Sequence, residues 1–327
     1  MKASVWGLDP ATYVAHPLHR GDRVWPETNC YADLVIELVH AAGLEPIACL
    51  GHTLAIDFEG DQFTFFKPPL GDVIELYGLD TQELSIYRPP ADHAAEQVAR
   101  GRVVLMEVDA FFLPDVAGTS YHADHAKTTI GIETIDPEDR RVGYFHNAGY
   151  HALSGADYDG LFRVGAPRAT ADDHLPPYTE YAKVDRLRRD SEAELVAIAV
   201  AQARRHLARR PTDNPFAGWR PRFLAEVDAL KAAGLGSFHP YAFATIRQFG
   251  AGFGLGAELC AWLAARGHAD LAAPATDLRA VAETGKALQF KLARAVQAKR
   301  AVDFSEPLDE LERRWESAMT ALASSIG

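Results

Sequence analysis

Cys30, followed along the chain by His125 and Asn147, supplies the residue types that nucleophilic acyl chemistry needs. A thiolate attacks a carbonyl carbon, an imidazole moves the proton, and a third polar group holds the imidazole in one orientation. The segment Trp25-Pro26-Glu27-Thr28-Asn29-Cys30-Tyr31-Ala32-Asp33 runs into Leu34, Val35, Leu38, Val39 and Ala42, spaced as one face of an amphipathic helix, and Gly43 supplies the stop. Cys30 therefore stands at or just inside a helix N terminus, where free backbone N–H groups and the positive end of the dipole favour a thiolate. A lone cysteine is also readily a small buried hydrophobe. Cys49, in Ile47-Ala48-Cys49-Leu50, and Cys260, inside a long apolar helix, take that reading.

Positioning the base falls to two strands. His125 follows the loop-like stretch Pro114–Asp124 and stands at the entry to a strand expected over Ala126–Ile135; the next strand, Arg141–Asn147, ends in His146 and Asn147. If Asp136-Pro137-Glu138-Asp139 closes a hairpin, the start of the first strand lies beside the end of the second, which puts His125 next to Asn147, or next to His146 on the opposite face. Asn29 and Glu27, beside the cysteine, and His146 are the candidate oxyanion or substrate residues. His122, Asp124 and His125 could be read as metal ligands, but no nearby cysteine or second spaced pair supports zinc, and no metal is expected.

Around these residues the chain divides. Its 327 residues, 48% hydrophobic and 24% charged, match a globular protein of about two domains. Up to about residue 165 short β-branched and aromatic runs alternate with Gly, Pro and Asp signals, giving strand candidates at Leu54–Phe58, Gln62–Phe66 and Arg102–Phe112 besides the two above. Beyond a polar stretch around Arg168–Tyr178 the pattern is helical: Ser191 and Glu194 form a capping box, and helices are expected over Pro221–Ala233, Tyr241–Arg266, Leu278–Ala301 and Glu306–Ser325. The reading is α+β, with a catalytic domain at 1–170 and an all-α domain at 171–327. Gly252, Gly254 and Gly256 lie between helical segments and follow no strand, so a helix break or close helix contact is favoured over a nucleotide loop. Phe63, Phe65 and Phe66 read as strand core, since no basic residues interleave them.

Forty-five acidic residues against 33 basic ones give a formal net charge of −12, which disfavours nucleic acid and anionic membrane as partners. No run approaches the roughly 20 apolar residues of a membrane span, and the N terminus has no apolar core of signal-peptide length. A cytoplasmic protein with reduced thiols is expected. Positive charge nevertheless gathers at Arg188, Arg189, Arg204 and Arg205, a solvated helix face or a docking patch for an acidic partner.

The run Val108-Asp109-Ala110-Phe111-Phe112-Leu113-Pro114, with a histidine heading a strand and a second strand ending in a polar residue, resembles the N-terminal domain of the butirosin biosynthesis protein H family. Those domains are similar to the papain-like peptidases that process leader peptides. Asn29-Cys30-Tyr31, Phe65-Phe66-Lys67-Pro68-Pro69 and Tyr144-Phe145-His146-Asn147-Ala148-Gly149-Tyr150 look closest to an uncharacterised bacterial family that accompanies amino-acid carrier proteins. The resemblance covers about residues 20–165 and implies a papain-like fold used for acyl transfer. Cys30 would take an aminoacyl group from a carrier-protein thioester and deliver it to a small amine acceptor. His125 would act as base then acid, Asn147 would orient it, and the Cys30 N–H with the Asn29 side chain would hold the oxyanion. No cofactor is implied beyond the carrier's phosphopantetheine arm. Papain-type enzymes place a glutamine upstream of the cysteine, where this chain has Val24 and Trp25. A thioesterase or amidase with the same triad, and a non-catalytic relative that binds a carrier protein or metabolite, are the rival expectations.

Overall fold

The computed structural model describes residues 2–165 and 175–327. In chain order the elements are β1 (Ala3–Ser4), α1 (Cys30–Ala41), α2 (Leu70–Tyr77), β2 (Asp80–Glu83), α3 (Pro90–Ala99), β3 (Arg102–Asp109), β4 (Lys127–Asp136), β5 (Arg141–His146), β6 (Gly149–Ser154), α4 (Ala156–Phe162) and β7 (Thr179–Lys183). The helices α5 (Glu192–Leu207), α6 (Pro215–Ala233), α7 (Leu235–Ala242), α8 (Gln248–Ala264), α9 (Ala272–Ala298) and α10 (Ser305–Ile326) follow. The protein is mixed α and β, with an open antiparallel sheet and a helical C-terminal region.

Two compact units divide the chain: Met1–Arg20, Asn29–Glu45 and Val73–Arg189 form the first, and Gly21–Thr28, Pro46–Asp72 and Asp190–Gly327 the second. The expected boundary at 170/171 falls in 166–174, outside the described residues.

In the first unit the strands run in the order β2-β7-β3-β4-β5-β6, every pair antiparallel, with β1 added to β4. The β4–β5 hairpin closes at the expected place because Asp136 Oδ1 accepts the N–H groups of Glu138 and Asp139, the Asx geometry that bends a chain back. Alternation gives the sheet two faces. Val104, Met106, Val108, Ile130, Ile132 and Tyr144 point one way, into an apolar core that includes α3 and α4 residues. Leu105 and Gly131, register partners, point the other way, towards α1. A Cβ on Gly131 would stand 2.5 Å from Leu34 Cδ1, so glycine is what allows the helix to lie this close to β4. On this face the buried Glu133 carboxylate accepts hydrogen bonds from Ser4, Gly7 and Tyr150, which fastens the N-terminal segment to the sheet.

The strand expected over Arg102–Phe112 stops at Asp109, whose side chain accepts the Phe111 N–H and turns the chain into a short 3₁₀ segment at Ala110–Phe112. Those expected at Leu54–Phe58 and Gln62–Phe66 do not form: Pro46–Ala55 is 3₁₀-helical, and Phe58 and Phe63 share one isolated bridge. Tertiary contacts override β propensity here. In the second unit Phe63 is fully buried against Phe216, Trp219 and Phe249, and its N–H donates to the Ala244 carbonyl.

The helical region keeps the expected capping box at Ser191 and Glu194. The helix expected over Tyr241–Arg266 is split into the end of α7, a π-helical turn at Phe243–Arg247, and α8. Pro274 and Pro307 lie in the first turns of α9 and α10, where a missing N–H costs nothing. The glycines of α8 are sites of close packing: a Cβ at Gly250 would strike Trp25, at Gly252 Ile56 and Phe66, and at Gly256 it would press on Thr53. No helix among the described residues is long and apolar enough to cross a membrane.

Candidate active site

Helix α1 begins at Cys30 because Asn29 caps it: with extended backbone (φ −132°, ψ 155°), Asn29 turns its Oδ1 to accept the Ala32 N–H at 2.9 Å. Asn29 itself is buried. Cys30 is the first helical residue, partly exposed, in the first-turn position where the dipole favours an anion. Its neighbour Tyr31 anchors the helix by donating its hydroxyl to Glu180 on β7 at 2.9 Å. The other thiols are closed off. Burial pushes Cys260 up to about 12, and buried Cys49 donates to the Pro46 carbonyl at 3.2 Å. Iodoacetamide added to the folded protein is therefore expected to label Cys30 at least about tenfold faster than Cys49 or Cys260, read by peptide mapping. Equal rates would mean that Cys30 is as inaccessible as the other two.

His125 lies just before β4, with its side chain 72% exposed. Its Nδ1 is 2.6 Å from Asp109 Oδ2, and its ring stacks on Phe111 at 4.5 Å and 13°. Asp109 also accepts the Phe111 and Ala126 N–H groups. Burial alone would raise the Asp109 carboxyl, but the bonds from His125 and these amides outweigh it and hold the group below the usual carboxylate range. Asp109 alternates with Leu105 and Glu107 on β3, which places the Asp109–His125 pair on the sheet face that α1 covers. A carboxylate that accepts from Nδ1–H leaves Nε2 as the basic nitrogen, the tautomer that general-base work needs.

The expected neighbour of His125, Asn147, is not its hydrogen-bond partner. Asn147 and Ala148 form the connection between β5 and β6, and Asn147 takes a left-handed backbone (φ 46°), a conformation that asparagine tolerates better than most residues. The carboxylate that His125 Nδ1 meets is that of Asp109. In the sequence Asp109 is marked as an acidic residue at a strand exit followed by a turn. Among the described residues no hydrogen bond joins the Cys30 thiol to His125 or Asn147.

His146 points into the opposite face and is buried. Its Nδ1 lies 2.6 Å from Asp115 Oδ2 and its Nε2 2.8 Å from Thr128 Oγ1, while Tyr144 donates to Asp115 at 2.6 Å. The set has the order of an acid–base relay, but Thr128 is itself buried, so this network fastens β4 and β5 to the loop carrying Asp115.

Glu27 falls in the second unit, exposed, with its carboxylate 3.8 Å from Arg247. Trp25 is buried in that same unit and donates its Nε1–H to the Ala282 carbonyl at 3.0 Å. The four expected docking arginines are engaged within their own units. Arg188 donates to the Glu75 carbonyl, and Arg189 to the Ala42 and Gly43 carbonyls at the C terminus of α1. Arg204 donates to the Ile326 carbonyl, and Arg205 pairs with Asp72 at 3.3 Å. Cations at helix C termini satisfy carbonyls that the helix leaves open. No group of three or more potential metal ligands occurs among the described residues.

No curated protein matches the chain. A family model described as the DUF1839 C-terminal domain matches residues 192–324. The DUF1839 N-terminal domain matches residues 14–184, a span that includes Cys30, Asp109, His125 and Asn147, and the chain therefore belongs to the DUF1839 family.

Proposed function

We propose that this protein is a cysteine-dependent acyltransferase whose first unit works as a papain-like thiol centre. The observation that carries the reading is a partly exposed thiol at the first position of α1, with a carboxylate-oriented histidine on the sheet face that α1 covers. The likeness of residues 20–165 to the butirosin family supplies the substrate class.

In the acylation step the Cys30 sulfur attacks the carbonyl carbon of an aminoacyl thioester on a carrier protein. The C–S bond to the phosphopantetheine arm breaks, and the departing thiolate takes the proton that His125 had accepted from Cys30. In the second step an amine attacks the Cys30 thioester, His125 accepts the amine proton and returns it to the Cys30 sulfur, and an amide leaves. Asp109 keeps the imidazole in one tautomer throughout. The Cys30 backbone N–H, one of the unpaired donors of the first helical turn, is the group available to the oxyanion.

The 72% exposure of the His125 side chain supports a second reading, in which water takes the place of the amine and the protein is a thioesterase. One experiment separates them: intact-mass spectrometry of the protein mixed with aminoacyl-loaded carrier protein, beside Cys30→Ala and His125→Ala. The expected result is a mass increase of one aminoacyl group on the wild type and none on Cys30→Ala, followed by amide formation when amine is added. Discharge to free amino acid alone would favour hydrolysis. Folded protein that forms no adduct and turns over no loaded carrier would overturn both and leave a binding protein.

A further inference from the structure

Between Thr284 and Val302 the chain carries Lys286, Lys291, Arg294, Lys299 and Arg300 and not one carboxylate, in a protein of formal net charge −12. Elsewhere in the second unit arginines are paired: Arg220 with Asp309 and Glu312, Arg266 with Glu192, Arg314 with Asp277 and Glu310. The five cations of the α9 stretch differ. Among the described residues none of their side chains makes an ion pair, and two of them lie over rings: Lys286 is 4.1 Å from the Trp25 centroid and Lys291 5.6 Å from that of Phe304. Burial lowers the pKa of Lys286, whereas Arg294, Lys299 and Arg300 are exposed, and exposed charge without an ion-pair partner acts outwards on an incoming anion.

Three of these cations, Lys291, Arg294 and Arg300, line an open hollow of about 750 Å³ together with Ala287, Phe290 and Val302. Phe290 is 52% exposed. Ala287, Phe290, Lys291 and Arg294 recur at helical spacing, so one side of the hollow follows a stripe of α9, and Arg300 and Val302 close it from the segment after the helix. From Lys286 to Lys299 the charges are strung over about 20 Å at roughly 1.5 Å per residue. A single phosphate ester is held by donors that converge on it; a row of separated cations beside an exposed ring matches a protein face that carries several carboxylates and an apolar side chain.

We infer that the C-terminal stripe of α9, with the segment that follows it, is a docking surface for the acidic face of a carrier protein, with Arg294 and Arg300 meeting its carboxylates and Phe290 its apolar contact. The identity of the partner rests on the function proposed above; the charge and shape of the surface do not.

Fluorescence anisotropy of a labelled holo acyl carrier protein, titrated with the full chain at low and raised ionic strength, tests the inference. Arg294→Glu with Arg300→Glu is expected to weaken binding by at least about tenfold and to flatten its salt dependence. Arg141→Glu, an exposed reversal at the start of β5, is expected to leave both unchanged within about twofold. Equal weakening by Arg141→Glu, no effect of the α9 reversals, or no binding to the wild type would each overturn the docking surface. Full competition by free phosphopantetheine would also overturn it, because the arm rather than the protein face would then be the ligand. Cys30 acylation unaffected by the α9 reversals would remove the docking surface and keep the acyltransferase. Binding through α9 with no Cys30 adduct would do the reverse.

Discussion

Asp109→Asn is expected to slow acylation of Cys30 by about 10²–10⁴-fold while leaving the fold intact, a range set by what orienting carboxylates contribute in thiol and serine centres. Asparagine keeps the size of the side chain and can still accept the Phe111 and Ala126 N–H groups. It removes the charge that stabilises a protonated His125, and its amide can donate to Nδ1 and fix the unproductive tautomer. Quenched-flow intact-mass measurement of the Cys30 thioester reads the effect directly. Asn147→Gly is the companion variant, because glycine adopts the left-handed backbone of that position without strain. It is expected to change the rate by less than about threefold, since Asn147 makes no bond to His125. A large loss with Asn147→Gly and none with Asp109→Asn would restore asparagine as the orienting group.

Glu37→Ala is expected to destabilise the protein by about 3–5 kcal/mol, the range for removing one partner of a buried ion pair. Glu37 on α1 is fully buried, as is the His19 ring, and it accepts from His19, the Tyr13 hydroxyl and the His16 N–H. His19 is also 3.2 Å from Asp33. Burial alone would lower the His19 imidazole, but its hydrogen bonds and charge interactions with Asp33 and Glu37 prevail and raise it to about 9. Because that value exceeds the ordinary 6.5, the cluster's stabilisation is complete below about pH 6.5 and is lost as pH rises through about 9, a decline of about 3 kcal/mol. His16 acts in the other direction. Burial and the neighbouring His40 charge lower it to about 4, so its contribution is present above about pH 6.5 and lost as pH falls towards 4. The unfolding temperature is thus expected to peak near pH 6.5, and Glu37→Ala to flatten the alkaline side of that curve. A loss under about 1 kcal/mol in chemical denaturation would show that the cluster is not a buried ion pair in solution.

Local signals were legible where local chemistry decides the structure. Asn29 before Cys30, Ser191 before Glu194 and the acidic turn at Asp136 each contain their own hydrogen-bond partners within a few residues, so sequence spacing was enough. Phe63 and Phe66 were misread because their partners, Trp219, Phe249 and the glycines of α8, lie far along the chain, and a β-prone run cannot reveal that helices will enclose it. The same reason hid the short strands β2 and β7, whose pairing needs residues about 100 apart, Asp80 with Lys183. In the candidate site His125 could be placed at a strand entry, yet its carboxylate could not. Hairpin logic pointed across to Asn147, whereas β3, on the other side of β4, supplies Asp109.

The chain passes from one unit to the other after Arg20, Thr28, Glu45, Asp72 and Arg189. A gene cut between the two family-matched segments would therefore separate neither unit cleanly. The downstream fragment would lack Trp25, Ile56 and Phe66, and the glycines of α8 would become the floor of an oily trench ready to seize any passing hydrophobe. A fragment cut there is therefore expected to aggregate, because its helices need the upstream segments to cover them.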